Sequence, residues 1–426
     1  MQSKVLVISH NSLSQTSNMG RTLSGFLKGI PTENLAQLYL HTEVPTTDIC
    51  TNYYRVTDFD MIKKRKKDIG TVFGENDIKK DLKSERVDEG KEAQIYSFGR
   101  KRKPYMYVGR NLLWSTKKWK NEKLLNWVKA FSPDVIFFAS GDYVFSYKIA
   151  MELAEACDIP IVTYVCDDYY FLKRKSMSPL YYINRIWYKK TLNKLFSKHK
   201  NIISICDKIT TDYSKEFGVI SDTIMTSSQV IPFENKETDG VVVSYLGILG
   251  YNRHIPLIEI GKALKNVSEG KIMIDVYSAE NRTEILNMLT SENGINFCGS
   301  VSYDRVKEIM ENSDILIHTE SMDKENREKV KYSVSTKIAD TLSCGRCLFA
   351  YGPSDVASIE YLKDNDCACV VTESDDLNNR LKEIIENTQK RQQYIDKALE
   401  IAKEKHNIDK NAEVVQRIFE NVKRNK

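Results

Sequence analysis

No stretch of about 18 consecutive apolar residues occurs anywhere in the 426-residue chain, so none is expected to cross a bilayer as a helix. The opening residues MQSKVLVISHN lack the apolar run of a secretory signal and enter a strand pattern at once. Short internal repeats are absent, and the two halves share architecture only. Cysteine is sparse, nine in all, and most cysteines sit inside apolar runs, as small buried hydrophobes do in a reducing compartment. A cytosolic protein is the expectation. At 41% hydrophobic and 28% charged it should be globular, and its length suggests two domains.

The formal charge of +5 is modest but uneven. Lys63-Lys64-Arg65-Lys66-Lys67 and Arg100-Lys101-Arg102-Lys103 are basic knots. Residues 171–200 hold nine Lys or Arg and no acid. Such a segment favours phosphate-bearing partners, or else is only a solvated helical face. Tyr181, Tyr182, Ile183, Ile186, Trp187, Tyr188, Leu192 and Leu195 make it too apolar for solvation alone. Some of these should pack into a core, and the rest suit contact with an anionic bilayer.

Buried-strand runs alternate with amphipathic helical segments, the pattern of parallel α/β domains. In the first half KVLVIS (4–9), DVIFFAS (134–140), IPIVTYVCD (159–167), NIISICD (201–207) and TIMTSS (223–228) read as strands. Residues 61–103 have few apolar anchors and are expected to form a mobile insertion. PFENKETDG (232–240) has linker composition. The cycle restarts with VVVSYLG (241–247) and continues through KIMIDVYS, INFCGS, SDILIHT, CLFAYG and CACVVT. The expected divisions are 1–237, 238–376 and a helical segment 377–426.

Two loops invite chemistry. GILGYNRH follows the strand VVVSYL. There Gly247 and Gly250 would let backbone approach a ligand, with Arg253 just before a helix. In YSVSTKIADTLSCGRCLFAYGPSD, Ser335 or Thr336 can cap a helix that stops at Gly345. Lys337 and Asp340 are then neighbours on one helical face. They read either as a solvated pair or as ligands for a phosphate and a hydroxyl-bearing group at a helix N-terminus.

In order, VVVSYLGILGYNRH, INFCGSVSYDRVKEIMENSDILIHTES and STKIADTLSCGRCLFAYGP resemble the nucleotide-sugar-binding domain of GT-B glycosyltransferases of the retaining type called family 4, across about 241–375. The first half is similar to the acceptor domain through KVLVISHN and PDVIFFASGDYVF. The resemblance implies two Rossmann-like domains with a cleft between them and a C-terminal helix. It implies a hexosyltransferase-type enzyme of surface-polysaccharide synthesis that retains anomeric configuration. The donor is a nucleotide diphosphate sugar, the acceptor a glycan, carried on a lipid. No cofactor, no metal and no nucleic acid are expected, and the place is the inner membrane face. Arg253 and Lys337 correspond to diphosphate ligands, and Asp340, five before Gly345, to the carboxylate that grips ribose. Cys298 to Ser302 matches the base-lining segment, and Gly247, Gly250, Ser335 and Thr336 complete the donor side. His10, Asn18, Gly20 and Asp142 fall on the acceptor side.

Two departures stand out. Tyr332 occupies the place of the family's first glutamate, and Glu320 is expected to supply that carboxylate across the loop 321–331. After the central N-domain strand the chain reads Ser140-Gly141-Asp142 where a histidine is usual. Other readings compete. A different GT-B activity such as a nucleotide-sugar epimerase is one, and a non-catalytic basic protein binding membrane or nucleic acid is another. Asp58-Phe59-Asp60 and Asp364-Asn365-Asp366 match a metal signature of another transferase fold but in poor context. Cys344-Gly-Arg-Cys347 closes a helix where a redox motif would open one, and Cys367-Ala-Cys369 offers only a pair. His254 and His318 flank the expected site, and a structural hydrogen bond is the plainer role for His318.

Overall fold

The computed structural model of the chain describes residues 2–15, 18–74, 103–233, 240–373 and 375–424. Eight strands form one sheet: β1 (Val5–Ser9), β2 (Leu35–Tyr39), β3 (Tyr53–Arg55), β4 (Thr71–Phe73), β5 (Val135–Ala139), β6 (Ile161–Val165), β7 (Asn201–Ser204) and β8 (Ile220–Thr223). Their order is β4-β3-β2-β1-β5-β6-β7-β8, and only the β3–β4 edge pair is antiparallel. Strand side chains alternate between faces. Val5, Val7, Val135 and Phe137 meet Leu23 and Phe26 of helix Asn18–Phe26 and Val415 and Phe419 of helix Ile408–Arg424. On the other face Phe138 meets Tyr147 of helix Val144–Cys157, ring centroids 5.0 Å apart. Beside it Trp114 of helix Pro104–Ser115 stacks on Phe145 at 4.6 Å.

Three features depart from the sequence expectation. β2 carries Gln37 in the middle of a short run, which hides it as a strand. The buried amide is satisfied: its oxygen accepts from the Leu13 N–H at 3.0 Å, and its nitrogen donates to Ser9 Oγ at 2.8 Å. Residues 61–74 of the expected mobile insertion are built into the unit, with Met61 and Ile69 fully buried and β4 paired to β3. Residues 75–102 of that insertion lie outside the described residues. The last strand is Ile220–Thr223, so of the expected run 223–228 it contains Thr223 alone, while Ser228 makes an isolated bridge to Asn407.

The second sheet has six strands: β9 (Val243–Leu246), β10 (Ile274–Tyr277), β11 (Ile295–Gly299), β12 (Ile315–Thr319), β13 (Cys347–Tyr351) and β14 (Cys369–Val371). The order is β11-β10-β9-β12-β13-β14, and every pair is parallel. Val243, Val276, Ile317 and Phe349 pack with Leu257 and Leu264 of helix His254–Val267 and with Leu381 and Ile384 of helix Leu377–Glu386.

The chain therefore divides into Met1–Ile224 with Ile408–Lys426, and Met225–Asn407. It passes from the first unit to the second once and returns once. Helix Ile408–Arg424 completes the first unit because its stripe Ala412, Val415, Phe419 and Val422 is buried there, with the Phe419 ring 5.2 Å from Phe137. Most of the expected linker, 234–239, lies outside the described residues.

All four tryptophans, Trp114, Trp119, Trp127 and Trp187, belong to the first unit, so tryptophan fluorescence reports on it alone. Phe419→Ala should lower the stability of that unit by about 3–5 kcal/mol, measured by urea unfolding. An unchanged midpoint would mean that the returning helix is not part of its core.

Candidate functional site

All six strands of the second sheet end at one edge. Strand order reverses between β9 and β12, the place where ligands bind in open α/β sheets. The β9 loop runs from Gly247 to Arg253. Tyr251 and Asn252 adopt left-handed backbone there, with φ of 56° and 57°. For a tyrosine this conformation is costly and must be held by its surroundings. Asn252 Nδ2 donates to Asp323 Oδ2 at 3.2 Å, and the Arg253 guanidinium lies 5.5 Å from the Tyr251 ring centre. A Cβ on Gly247 would come within 2.8 Å of the Tyr245 hydroxyl, so packing inside the unit already requires glycine. A Cβ on Gly250 would meet Ile248 Cδ1 at 3.9 Å, an ordinary contact.

Glu320 is the first residue after β12. Its two carboxylate oxygens accept from Nε and Nη2 of Arg253, each at 3.0 Å. The pair is bidentate and spans the reversal point. Glu320 is 1% exposed. Burial pushes its carboxyl up and Arg253 opposes this. Glu320 thus faces inward as the counter-ion of Arg253 and does not reach out over the loop 321–331. Lys337 opens helix Lys337–Ser343 and donates from Nζ to the Leu246 carbonyl at 2.8 Å. Both cations therefore stand at the end of β9. Desolvation lowers the Lys337 pKa most, Asp340 opposes, and repulsion from Arg253 adds to the fall.

One turn along, Asp340 accepts from Ser228 Oγ at 2.8 Å. Ser228 was invisible in the sequence, being 112 residues away with no motif around it. Thr336 does not cap its helix through its side chain, since its backbone is already helical. The Ser335 carbonyl instead accepts from Ile338 at 3.0 Å. Cys298 and Ser302 lie at the end of β11, two strands from β9, and both are exposed. His318 is the penultimate residue of β12, with Nε2 3.5 Å from Glu320 Oε1 and no hydrogen bond on that nitrogen. Burial, with Arg253 second, holds its pKa down at about 3, so the ring is neutral.

The first sheet reverses between β1 and β5. His10 follows β1, with its ring 4.9 Å from Tyr143 and 5.4 Å from His41. Asp142 follows β5 and accepts from Tyr107 Oη at 2.5 Å. Gly20 lies in helix Asn18–Phe26, where a Cβ would sit 2.4 Å from the Ser12 carbonyl oxygen. These candidates share one edge, and Asn18 opens the helix.

The competing motifs have local explanations. Asp58 accepts from Trp114 Nε1 at 2.7 Å and pairs with Arg110 at 2.9 Å. Asp60 completes a capping box with Thr57. Burial pushes the Cys344, Cys347 and Cys367 thiols up to about 12 and Cys369 up to about 11, far from a reactive thiolate. The basic segment forms helix Pro179–Lys198, with Tyr188, Leu192 and Leu195 buried. Met177, Tyr182, Ile183 and Ile186 are exposed, near the exposed Lys173, Arg174 and Lys175. No helix among the described residues is long and apolar enough to cross a membrane.

Residues 262–417 match a family model described as "Glycosyl transferase-like". No curated protein matches. Among solved structures, HepE of Anabaena in complex with UDP is similar over 98% of this chain and 100% of its own, at TM-score 0.62 and 12% identity. Sucrose-phosphate synthase of Thermosynechococcus elongatus is similar over 99% of each chain, at TM-score 0.62 and 9% identity. WaaG, a glycosyltransferase involved in lipopolysaccharide biosynthesis, is similar over 96% of this chain and 99% of its own, at TM-score 0.54 and 10% identity. The chain has the GT-B fold. The two sheets are the two Rossmann-like halves of GT-B. The matched residues put the glycosyl transferase-like domain on the half that carries Arg253, Lys337 and Asp340.

Three histidines of this GT-B half, His254, His318 and His406, have pKa values held below the usual imidazole range, burial being the largest cause in each. Unfolded imidazoles take up protons near pH 6.5 while the folded ones resist. Stability is therefore full above about pH 6.5 and falls as pH drops towards 5, by up to ~1.4 kcal/mol per pH unit per histidine. The raised Glu320 carboxyl acts in the opposite sense and blunts the slope. Equilibrium unfolding followed by far-UV circular dichroism at pH 7 and pH 5 measures this, and His318→Gln should flatten it. A pH-independent midpoint would contradict neutral burial.

Proposed function

We propose that the chain transfers a hexosyl group from a nucleotide diphosphate sugar to a glycan acceptor. The observation that carries this is the convergence of Arg253 and Lys337 at the end of β9, where strand order reverses. A departing diphosphate develops negative charge there, and fixed cations stabilise it in place of a metal. Glu320 orients the Arg253 fork. Asp340, steadied by Ser228, accepts from the ribose hydroxyls, while Cys298 and Ser302 lie beside the base. HepE, solved with UDP and with UDP-glucose, supports a uridine nucleotide. With retained configuration, the acceptor hydroxyl attacks from the leaving-group face and a phosphate oxygen takes its proton, so no separate base is needed. His10 and Asp142 stand on the acceptor side.

Arg253→Ala and Lys337→Ala should each remove about 2–4 kcal/mol of transition-state stabilisation. Turnover of UDP-sugars measures this, with a thermal-shift screen of nucleoside diphosphates beside it, since a ligand of the folded state raises its stability. If no nucleoside diphosphate shifts the wild type, or both variants turn over normally, the reading fails.

The acceptor is lipid-linked and belongs to surface-polysaccharide synthesis, a reading supported by the similarity to WaaG, with its part in lipopolysaccharide biosynthesis, and by the basic, apolar surface of residues 173–186. A cation near an anionic bilayer contributes about 1 kcal/mol. Salt-sensitive co-sedimentation with anionic vesicles should be lost on charge reversal at Lys173, Arg174 and Lys175, while UDP binding persists. Absence of wild-type binding to such vesicles would remove the membrane contact.

A further inference from the structure

A groove of about 880 Å³ lies at the opposite edge of the first sheet, where β6 and β7 begin. His10 and Asp142 follow strand ends, so the proposed reaction does not use it. Pockets for small ligands span about 300–1,000 Å³, so this one has room for several linked rings. One wall is helix Pro179–Lys198, which contributes Trp187, Lys190, Lys194 and Lys198. Their spacing places them on one stripe, and the helical rise sets successive lysines about 6 Å apart. Lys148, from helix Val144–Cys157, lines the groove as well.

Among the described residues, Lys148, Lys190, Lys194 and Lys198 have no carboxylate partner. Glu152 is already taken by Lys117 and Lys120, at 2.9 and 3.1 Å. Lys198 complements the last carbonyls of its helix. Lys148 and Lys190 lie more than a turn from their helix C-termini, so the helix dipole does not account for them. The groove also presents Glu155 and Asp158, both exposed acceptors for hydroxyl groups.

We propose that this groove binds an anionic oligosaccharide. Acid groups of the ligand engage the Lys190–Lys194–Lys198 stripe, a sugar ring lies on the Trp187 indole, and hydroxyls donate to Glu155 and Asp158. A single-stranded nucleic acid fits less well. Such channels stack successive bases on several aromatic side chains, whereas this groove offers one indole. The inference is independent of the proposed transfer reaction.

The test is calorimetric titration of the full chain with a galacturonate hexasaccharide, using maltohexaose and a short oligothymidylate as comparisons. Galacturonate should bind, more weakly at high salt, and maltohexaose about ten-fold less tightly or worse. Lys190→Glu with Lys194→Glu should weaken galacturonate binding by about ten-fold or more, since each reversal turns attraction into repulsion. Both positions are exposed, and an unchanged melting temperature checks the fold; Lys190→Gln with Lys194→Gln serves if it does change. Trp187→Phe should abolish the fluorescence response to galacturonate. No galacturonate binding, equal binding by the double variant, or tighter binding of oligothymidylate would each overturn the proposal.

Discussion

A parallel strand cannot be reached by a tight turn. Each must be entered by a crossover, so the strands of a parallel sheet all end at the same edge. This constraint organises both units. In the second it delivers the loops after β9, β10, β11 and β12 to one rim, and the reversal between β9 and β12 opens that rim. Arg253 and Glu320 are 67 residues apart in sequence and meet because their strands are neighbours.

The pair they form is expensive to bury. Removing two charges from water costs several kcal/mol per ion, which the mutual attraction offsets only with good geometry. The bidentate fork at 3.0 Å supplies that geometry, and it also fixes the direction of the guanidinium. A strained turn at Tyr251 and Asn252 delivers Arg253 to this place. Strain and buried charge at one rim point to selection for position more than for stability. Lys337 adds a second cation at the same strand end, held by a backbone carbonyl and not by an acid, so its charge is only partly compensated.

The first unit separates two kinds of surface by the same rule. Strand ends carry the aromatic and polar cluster of His10, Tyr143, Tyr107 and Asp142. Strand beginnings, where helices finish, carry lysines. The single helix Pro179–Lys198 serves the core with Tyr188, Leu192 and Leu195, and exposes apolar residues early and lysines late.

The alternation of strands and helices, the restart near Val241, the glycine stop at Gly345 and the basic face of residues 171–200 were all legible in the chain before folding. All of these rest on local period and composition, which a single chain displays directly. Lys337, Arg253 and Asp340 were legible as candidates because each sits beside a strand–loop–helix boundary. Tertiary structure alone decided three things. It turned Glu320 inward onto Arg253, because strand adjacency is not written in local pattern. It joined Ser228 to Asp340, a contact between segments with no shared motif. It returned helix Ile408–Arg424 to the first unit, because an amphipathic stripe specifies that a face must be buried but not which sheet will cover it.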